Sequence, residues 1–345
     1  MWFSKHHYAN ELAKLGNQVY YLDPVGKWQF NNLWDRKIQA KVVLKNVTVL
    51  NYKNPLPVRL FPRLATFLND FIVSQSIKQF LKNEAFVLWQ FDFLRLVIFP
   101  NREVKRIYHV ADPYMHAWSD PVIAKKADLI LCTSPKYLLH YQTLSAREKV
   151  IQVPHGISES ELLPDPTLVE SIREKYGEFA LLVGSINDDL DLDLLETIAS
   201  KTRLLILGKL SLSDPGNSRK WKAITSLATV QYLGVVHAEK LKNFISASKV
   251  CLLTYRFDLA KTIGSGSPLK VLNYLAQGKP VITSIDPEIP LLENKAIFWA
   301  QNKEGYLNFL NKALAGNLRV DNEKVDEYLD HHMYPKMIEN IFSLV

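Results

Sequence analysis

The stretch from Gly264 to Thr283, GSGSPLKVLNYLAQGKPVIT, concentrates residue types that bind phosphate. Small residues at Gly264, Ser265, Gly266 and Ser267 let backbone N–H groups approach an anion closely. Pro268 suits the start of a helix, where its missing N–H costs nothing. A helix opening at Leu269 adds partial positive charge at its N-terminus, and Lys270 in the first turn reaches the same anion. Gly278 then ends the helix. The loop taken alone also reads as a solvated Gly/Ser connection before an ordinary helix. Two carboxylates are candidates for moving a proton. Asp112 follows the apolar run KRIYHV and precedes Pro113; Asp92 follows AFVLWQ. Both fall where a strand would end, although Asp before Pro also serves simply to form a turn. His109 and His116 flank Asp112, with His109 read as structural within its strand.

The elements that must position these groups alternate along the whole chain. QVYYLD, VTVLNY, AFVLWQ, KRIYHV, ADLILCTS and KVIQVP read as strands in the first half. FALLVGS, RLLILGK, VQYLG, KVCLLTY and KPVITS do so in the second. Such short runs, apolar on both faces, suit parallel sheets covered on both sides. Helical spacing links them over 6–15, 65–81, 192–200, 238–246, 269–277 and 304–315, and the last segment from Val325 reads as one helix. Two alternating series predict an α/β chain of two doubly wound, Rossmann-like domains. Their expected bounds are 1–156 and 157–324, followed by a C-terminal helix over 325–345. The chain opens directly in a helical pattern, so the first strand of the first domain reads as missing.

Composition narrows the classes. The 345 residues are 48% hydrophobic and 22% charged, which excludes disordered and collagen-like chains. No run of about 18 uninterrupted apolar residues is present, and the N-terminus lacks the layout of a secretory signal, so a cytoplasmic protein is expected. Cys132 and Cys251 sit in apolar runs and read as buried strand thiols. Residues 1–150 carry 21 Lys and Arg against 11 Asp and Glu, so the basic surplus lies in the first half. Trp2, Phe3, Tyr8, Trp28, Phe30 and Trp34 fall near Lys5, Lys27, Arg36 and Lys37, a mixture suited to peripheral contact with an anionic membrane, although core packing of most of these rings is the stronger reading. No nucleic-acid recognition module is present, and no nucleic-acid partner is expected.

The run from Pro268 to Val281 resembles the donor-site motif of GT-B glycosyltransferases, especially the bacterial group 1 (family-4-like) sugar-nucleotide transferases, whose pattern is approximately PLK-x-x-E-Y-L-A-x-G-K-P-V-V. Pro268, Leu269, Lys270, Tyr274, Leu275, Ala276, Gly278, Lys279, Pro280 and Val281 match as they stand. YHVADPYMHAW, ADLILCTSPKYLLHY and VPHGIS are similar to further family segments in the same order. The resemblance implies two Rossmann-like domains facing across a cleft, with the last helix crossing back to the first. It also implies transfer of a sugar from a nucleotide-diphosphate donor to a saccharide or lipid-linked hydroxyl acceptor, in building a cell-surface polysaccharide or glycolipid.

Donor contacts follow by position. Gly184, Ser185, Lys209, Tyr255 and Arg256 fall at or just after strand ends of the second half, where they would meet sugar, base or phosphate; the loop Gly264, Ser265, Gly266 and Ser267 precedes the matched motif, which holds Pro268, Leu269, Lys270 and, at a departure, Asn273. Asn273 stands where the family has a glutamate that meets the donor ribose, and the acidic Ile186-Asn187-Asp188-Asp189 stands where a basic pair is usual. Lys209 and Arg256 are the nearest substitutes for that pair. Asp112 is the first choice for acceptor chemistry and Asp92 the second. No metal and no cofactor is expected; Asp191 and Asp193, spaced as D-x-D, read as helix capping. A nucleotide-sugar epimerase and a weakened GT-B-like binding partner remain open as alternatives.

Overall fold

Runs of four apolar residues make strands here because every second side chain meets a different layer of helices. The computed structural model describes residues 4–59, 61–100, 104–112, 114–258 and 269–344. In chain order the first elements are α1 (Ser4–Lys14), β1 (Val19–Leu22), β2 (Gln39–Leu44), β3 (Val47–Asn51), α2 (Pro62–Phe80), β4 (Val87–Gln90), β5 (Lys105–Val110), α3 (Asp120–Lys126), β6 (Leu129–Cys132), α4 (Pro135–Tyr141) and β7 (Val150–Gln152). There follow α5 (Glu159–Leu162), α6 (Pro166–Tyr176), β8 (Ala180–Val183), α7 (Leu192–Ala199), β9 (Leu204–Leu207), α8 (Pro215–Thr225), β10 (Val230–Gly234), α9 (Ala238–Ala247), β11 (Val250–Leu253), α10 (Leu269–Leu275), β12 (Val281–Thr283), β13 (Ile297–Trp299), α11 (Lys303–Leu314), α12 (Asn322–His331) and α13 (Tyr334–Phe342). The chain divides into two units, Ser4–Pro154 together with α13, and His155–Met333. No helix among the described residues is long and apolar enough to cross a membrane.

The second unit is one six-stranded parallel sheet in the order β10-β9-β8-β11-β12-β13. Its middle strands, ALLV, LLIL and VCLL, are buried throughout, and alternate residues face two cores. Leu181, Val183 and Leu205 join one cluster, while Ala180, Leu182 and Ile206 join the other. Cys251 and Cys132 are buried in such strands, and burial pushes both thiols up to about 12.

The first unit departs from a single parallel sheet. Its strands form a three-stranded set, β1-β3-β2, and a parallel four-stranded set, β4-β5-β6-β7. β2 pairs antiparallel to β3 and is exposed along all six residues, so it lacks the apolar run that marks the other strands. β13 has three residues, too few for a strand pattern. Helices α6 and α8 both open on Asp-Pro, a dipeptide that signals a turn; here Asp165 and Asp214 cap the helices and Pro occupies the first turn. The last segment is two helices rather than one. Met333 pairs with Ile157 as an isolated bridge, and Pro335 falls in the first turn of α13, where its missing N–H costs nothing, so one helix ends at His331 and a new one starts at Tyr334.

Tyr8 is a correction to the surface reading of the aromatic residues. It is 1% exposed, packed against Trp89, Phe91, His109 and Tyr334. Trp28 donates its indole N–H to the Pro55 carbonyl, while Phe30 and Trp34 are 70% and 80% exposed. Trp2 and Phe3 lie outside the described residues. His109 sits in this aromatic core, with Trp89 Nε1 3.3 Å from its Nδ1, in keeping with a structural role.

Two buried polar groups hold the loop after β4. Asp70 of α2 accepts N–H bonds from Leu96 (3.0 Å) and Ile98 (3.1 Å). Arg106 of β5 donates to Gln90 Oε1 at 2.7 Å and to the Leu96 and Val97 carbonyls. A second network ties α3 and α4 to β5, where the Tyr108 and Tyr141 hydroxyls both donate to Asp120 Oδ1 (2.6 and 2.5 Å). Burial raises the Asp70 carboxyl to about 6 against the pull of its backbone N–H partners. A carboxyl raised on folding binds its proton more tightly in the native state, so its contribution to stability is complete below about pH 4 and lost as pH rises through 6. Asp70→Asn should remove up to about 1.4 kcal/mol per pH unit of that falling slope between pH 4 and 6. Urea unfolding of both proteins at several pH values measures it; parallel curves would refute the assignment.

Candidate active site

Strand order alone locates a crevice. β8 and β11 are neighbours, yet the chain leaves β8 towards β9 and leaves β11 towards β12. Ligands of open α/β sheets bind beyond the carboxyl ends of strands at such a reversal. Gly184 and Ser185 directly follow β8, Lys209 follows Gly208 after β9, and Tyr255 and Arg256 follow Thr254 after β11. The sequence-predicted donor residues within the described chain therefore gather on one edge.

Close backbone approach shapes that edge. Gly184 has φ +138° and Gly208 φ +149°, conformations that only glycine adopts easily. A Cβ on Gly208 would lie 1.7 Å from the Gly184 carbonyl oxygen, so the turns after β8 and β9 touch through bare backbone. A Cβ on Gly184 would lie 2.7 Å from Lys270 Nζ. The ammonium thus rests directly over the β8 turn, in the space a side chain would fill. It also donates to Tyr255 Oη at 2.9 Å and lies 5.0 Å from that ring's centroid. Both residues are half-buried, so a positive charge is presented at the strand ends with its lysine stem covered.

Helix α10, which carries Lys270, is pinned by Tyr274. The Tyr274 hydroxyl accepts the Val183 N–H at 3.1 Å, and the ring is fully buried. Burial holds its hydroxyl well above the usual tyrosine range. Leu269 packs on the same core. Asn273 is half-buried, and its side chain makes no hydrogen bond among the described residues. Gly264, Ser265, Gly266, Ser267 and Pro268, the expected phosphate loop, lie outside the described residues.

The other candidates have existing partners. Arg256 is exposed and paired with Asp258 through Nε (3.1 Å) and Nη2 (2.5 Å), while the Lys209 side chain is exposed. The acidic segment after β8 serves capping. Asp188 accepts from the Ser213 hydroxyl and N–H, the Asn217 amide and the Asp214 N–H, and the Ser213 hydroxyl leads in holding its carboxyl well below the usual range. Asp191 caps α7 through the Leu194 N–H at 2.8 Å, and Asp193 pairs with Lys220.

The acceptor-side carboxylates belong to the first unit. Asp112 is exposed just beyond β5 and accepts the Tyr114 hydroxyl at 3.0 Å. Asp92, beyond β4, is bound by Arg95 through Nε (3.0 Å) and Nη2 (2.5 Å), and Arg95 Nη1 also meets the Leu22 and Asp23 carbonyls. That ion pair ties the end of β1 to the loop after β4, so Asp92 is engaged where Asp112 is open. Sequence reading missed Arg95, and also the role of Tyr274. The only signal for the latter was its place one turn after Lys270.

Residues 181–314 match the family model described as Glycosyl transferases group 1. No curated protein sequence matches the chain. Among solved structures, a sucrose-phosphate synthase from Thermosynechococcus elongatus superposes with TM-score 0.71 at 15% identity, covering 99% of this chain and 91% of that one. HepE from Anabaena, in complex with UDP and glucose, gives TM-score 0.64 at 12% identity, covering 86% of each chain. WaaG, a glycosyltransferase involved in lipopolysaccharide biosynthesis, gives 0.63 at 14% identity, covering 98% of this chain and 94% of that one. The superpositions show the GT-B fold of these glycosyltransferases over nearly the whole chain, and the match to the group 1 model lies within the second unit.

Tyr274→Phe should leave the Val183 N–H unpaired and cost about 1–2 kcal/mol of stability, read by urea unfolding at constant m-value. A variant as stable as the parent would show that this bond does not hold α10.

Proposed function

We propose that the protein transfers a glycosyl group from a nucleoside-diphosphate sugar to a hydroxyl acceptor, without a metal, in assembling a cell-surface polysaccharide or glycolipid at the cytoplasmic face of a membrane. The observation that carries the reading is the Lys270 ammonium over Gly184 at the strand-order reversal. Breaking the glycosyl–phosphate bond leaves a diphosphate whose growing negative charge must be met, and a fixed ammonium with no side chain beneath it meets it directly. A unit charge at ~4 Å in a surroundings of effective dielectric about 20 is worth about 4 kcal/mol, enough to do so without a divalent ion. Ser185 and the Gly184 backbone border the same space, and Asn273 faces the ribose as a neutral hydrogen-bonding group. Asp112 takes the acceptor hydroxyl's proton. Neighbours crystallised with UDP, and one named for lipopolysaccharide synthesis, support the donor class and the setting.

The membrane part rests on α2. Phe61, Leu64, Phe67, Leu68 and Phe71 recur at helical spacing and are 37–67% exposed, so this helix turns an apolar stripe outward as well as one inward. Arg59 and Arg63 are exposed at its start, within the basic half of the chain. Rings and aliphatic side chains beside guanidinium groups suit an anionic lipid surface.

Nucleotide screening by thermal shift tests the donor reading. UDP, GDP or ADP should raise Tm. Lys270→Ala should lose most of that rise together with slow donor hydrolysis, a drop of at least about 100-fold. Asp112→Asn should keep the nucleotide shift and lose transfer. Interconversion of two nucleotide sugars without acceptor would favour an epimerase, and a flat screen a binding partner. Separately, Phe67→Asp with Leu68→Asp should weaken sedimentation with anionic phospholipid vesicles about tenfold and leave donor hydrolysis unchanged. Equal binding by parent and variant would place the membrane contact elsewhere.

A further inference from the structure

β2 lies at the edge of the three-stranded set and pairs only with β3 among the described residues. The direction of its peptide groups follows from the other side of β3. The Val19 and Asp23 N–H groups bond the Asn46 and Leu50 carbonyls, at 2.8 and 3.1 Å. Peptide groups alternate along a strand, so those of Thr48 and Leu50 face β1, and those of Val49 and Asn51 face β2. Lys41 and Gln39 stand opposite Val49 and Asn51 and exchange bonds with them. Ala40 and Val42 stand opposite Leu50 and Thr48, so their N–H and C=O groups point away from the sheet. Two residues apart, about 6.6 Å, these four groups have the spacing at which a further strand presents its own.

The side chains around this edge are apolar and basic. Val42, Val43 and Leu44 are 73%, 45% and 51% exposed, on a strand exposed along all six residues. Lys41 is exposed between Ala40 and Val42, and Lys37 and Lys45 are exposed beyond the two ends. Neither Lys41 nor Lys45 makes an ion pair among the described residues. From Arg36 to Asn69 the chain has seven Lys and Arg and no Asp or Glu. The acid just before this stretch, Asp35, is bound by Lys53 at 2.6 Å. A row of open peptide groups is a template for another strand. Lysine on such an edge turns away a strand of like charge, which disfavours a second copy of this chain at the same place, and it favours a strand that carries carboxylates.

We propose that the β2 edge takes an extended, acidic segment of another protein, which joins the sheet as a strand beside β2. Its backbone bonds the outward N–H and C=O groups of Ala40 and Val42, the mode in which peptides add to an exposed sheet edge. In antiparallel pairing the residue opposite Lys41 comes within about 4.5 Å at Cα, so that position calls for Glu or Asp. Its neighbours on either side stand opposite Ala40 and Val42 on the other face, where aliphatic side chains cover Val42. The matching sequence therefore reads apolar, acidic, apolar. A register shift between Val42 and Leu44 bends β2 there, so the pairing ends at Val42 and stays short. Nothing in the donor crevice is needed for it.

Peptide titration and hydrogen exchange on the full chain test this. The probe is a capped Thr-Val-Glu-Val-Glu-Val-Thr peptide, with a capped Thr-Val-Lys-Val-Lys-Val-Thr peptide as its opposite. The acidic peptide should bind with a Kd of about 1 mM or tighter. At saturation it should slow exchange of the Ala40 and Val42 amides at least about tenfold and leave the β8 amides unchanged. Raising salt from about 50 to 500 mM should weaken it at least about threefold, and the basic peptide should bind at least about tenfold more weakly. Lys41→Glu, at an exposed position where an unchanged Tm reports an intact fold, should reverse the preference between the two peptides. No binding of the acidic peptide at about 5 mM, equal binding of both peptides, or binding that leaves Ala40 and Val42 exchange as it was overturns the proposal. So does slowing of those two amides by anionic phospholipid vesicles alone or by raising the protein concentration, which would give the edge to a lipid surface or to a second copy.

Discussion

A charge held where a side chain is forbidden organises the second unit. Lys270 Nζ occupies the volume over Gly184, and three separate features keep it there. Gly208 lets the β9 turn press against the Gly184 carbonyl, Tyr274 fixes α10 to Val183, and Tyr255 accepts a hydrogen bond from the ammonium. Each lies on a different strand end or helix, so the sheet as a whole sets the position of one cation. A larger residue at Gly184 or Gly208 would push this arrangement apart from below.

The acidic segment beside it illustrates how geometry overrides local charge. Asp188, Asp191 and Asp193 follow β8 within ten residues, and by count alone they would cancel the lysine. Their carboxylates instead accept the N–H groups that open α7 and α8, or bind Lys220. Helix starts carry partial positive charge, so these acids are satisfied where they sit. Lys270 remains beyond the strands, hydrogen-bonded to the neutral Tyr255 hydroxyl, and Lys209 is exposed after β9.

Much of this was legible in the residues because buried parallel strands have an unmistakable pattern. LLIL, VCLL and ALLV can hardly be anything else, and the ten-residue match around Lys270 fixed where the donor motif begins. β2 escaped because an exposed edge strand has no core-facing run. α6 and α8 escaped because Asp-Pro marks a helix start as readily as a turn. The break after His331 depends on a bridge to Ile157, a pairing far apart in sequence that no local pattern encodes. The same holds for Arg95, whose partners at Leu22 and Asp23 lie more than seventy positions away, and for the contact of Gly184 with Gly208. Periodicity reports which face is buried, but not what it meets.

The last helix completes the core of the first unit: Tyr334, Ile338 and Ile341 pack with Tyr8, Ile107 and Leu131. On the ribosome, that core is unfinished until α13 emerges, after the whole of the second unit has been made. The unit synthesised first is then the later of the two to reach its native state, and it waits with an apolar surface uncovered while its successor folds. A premature stop that deletes only this helix would thus injure the opposite end of the polypeptide.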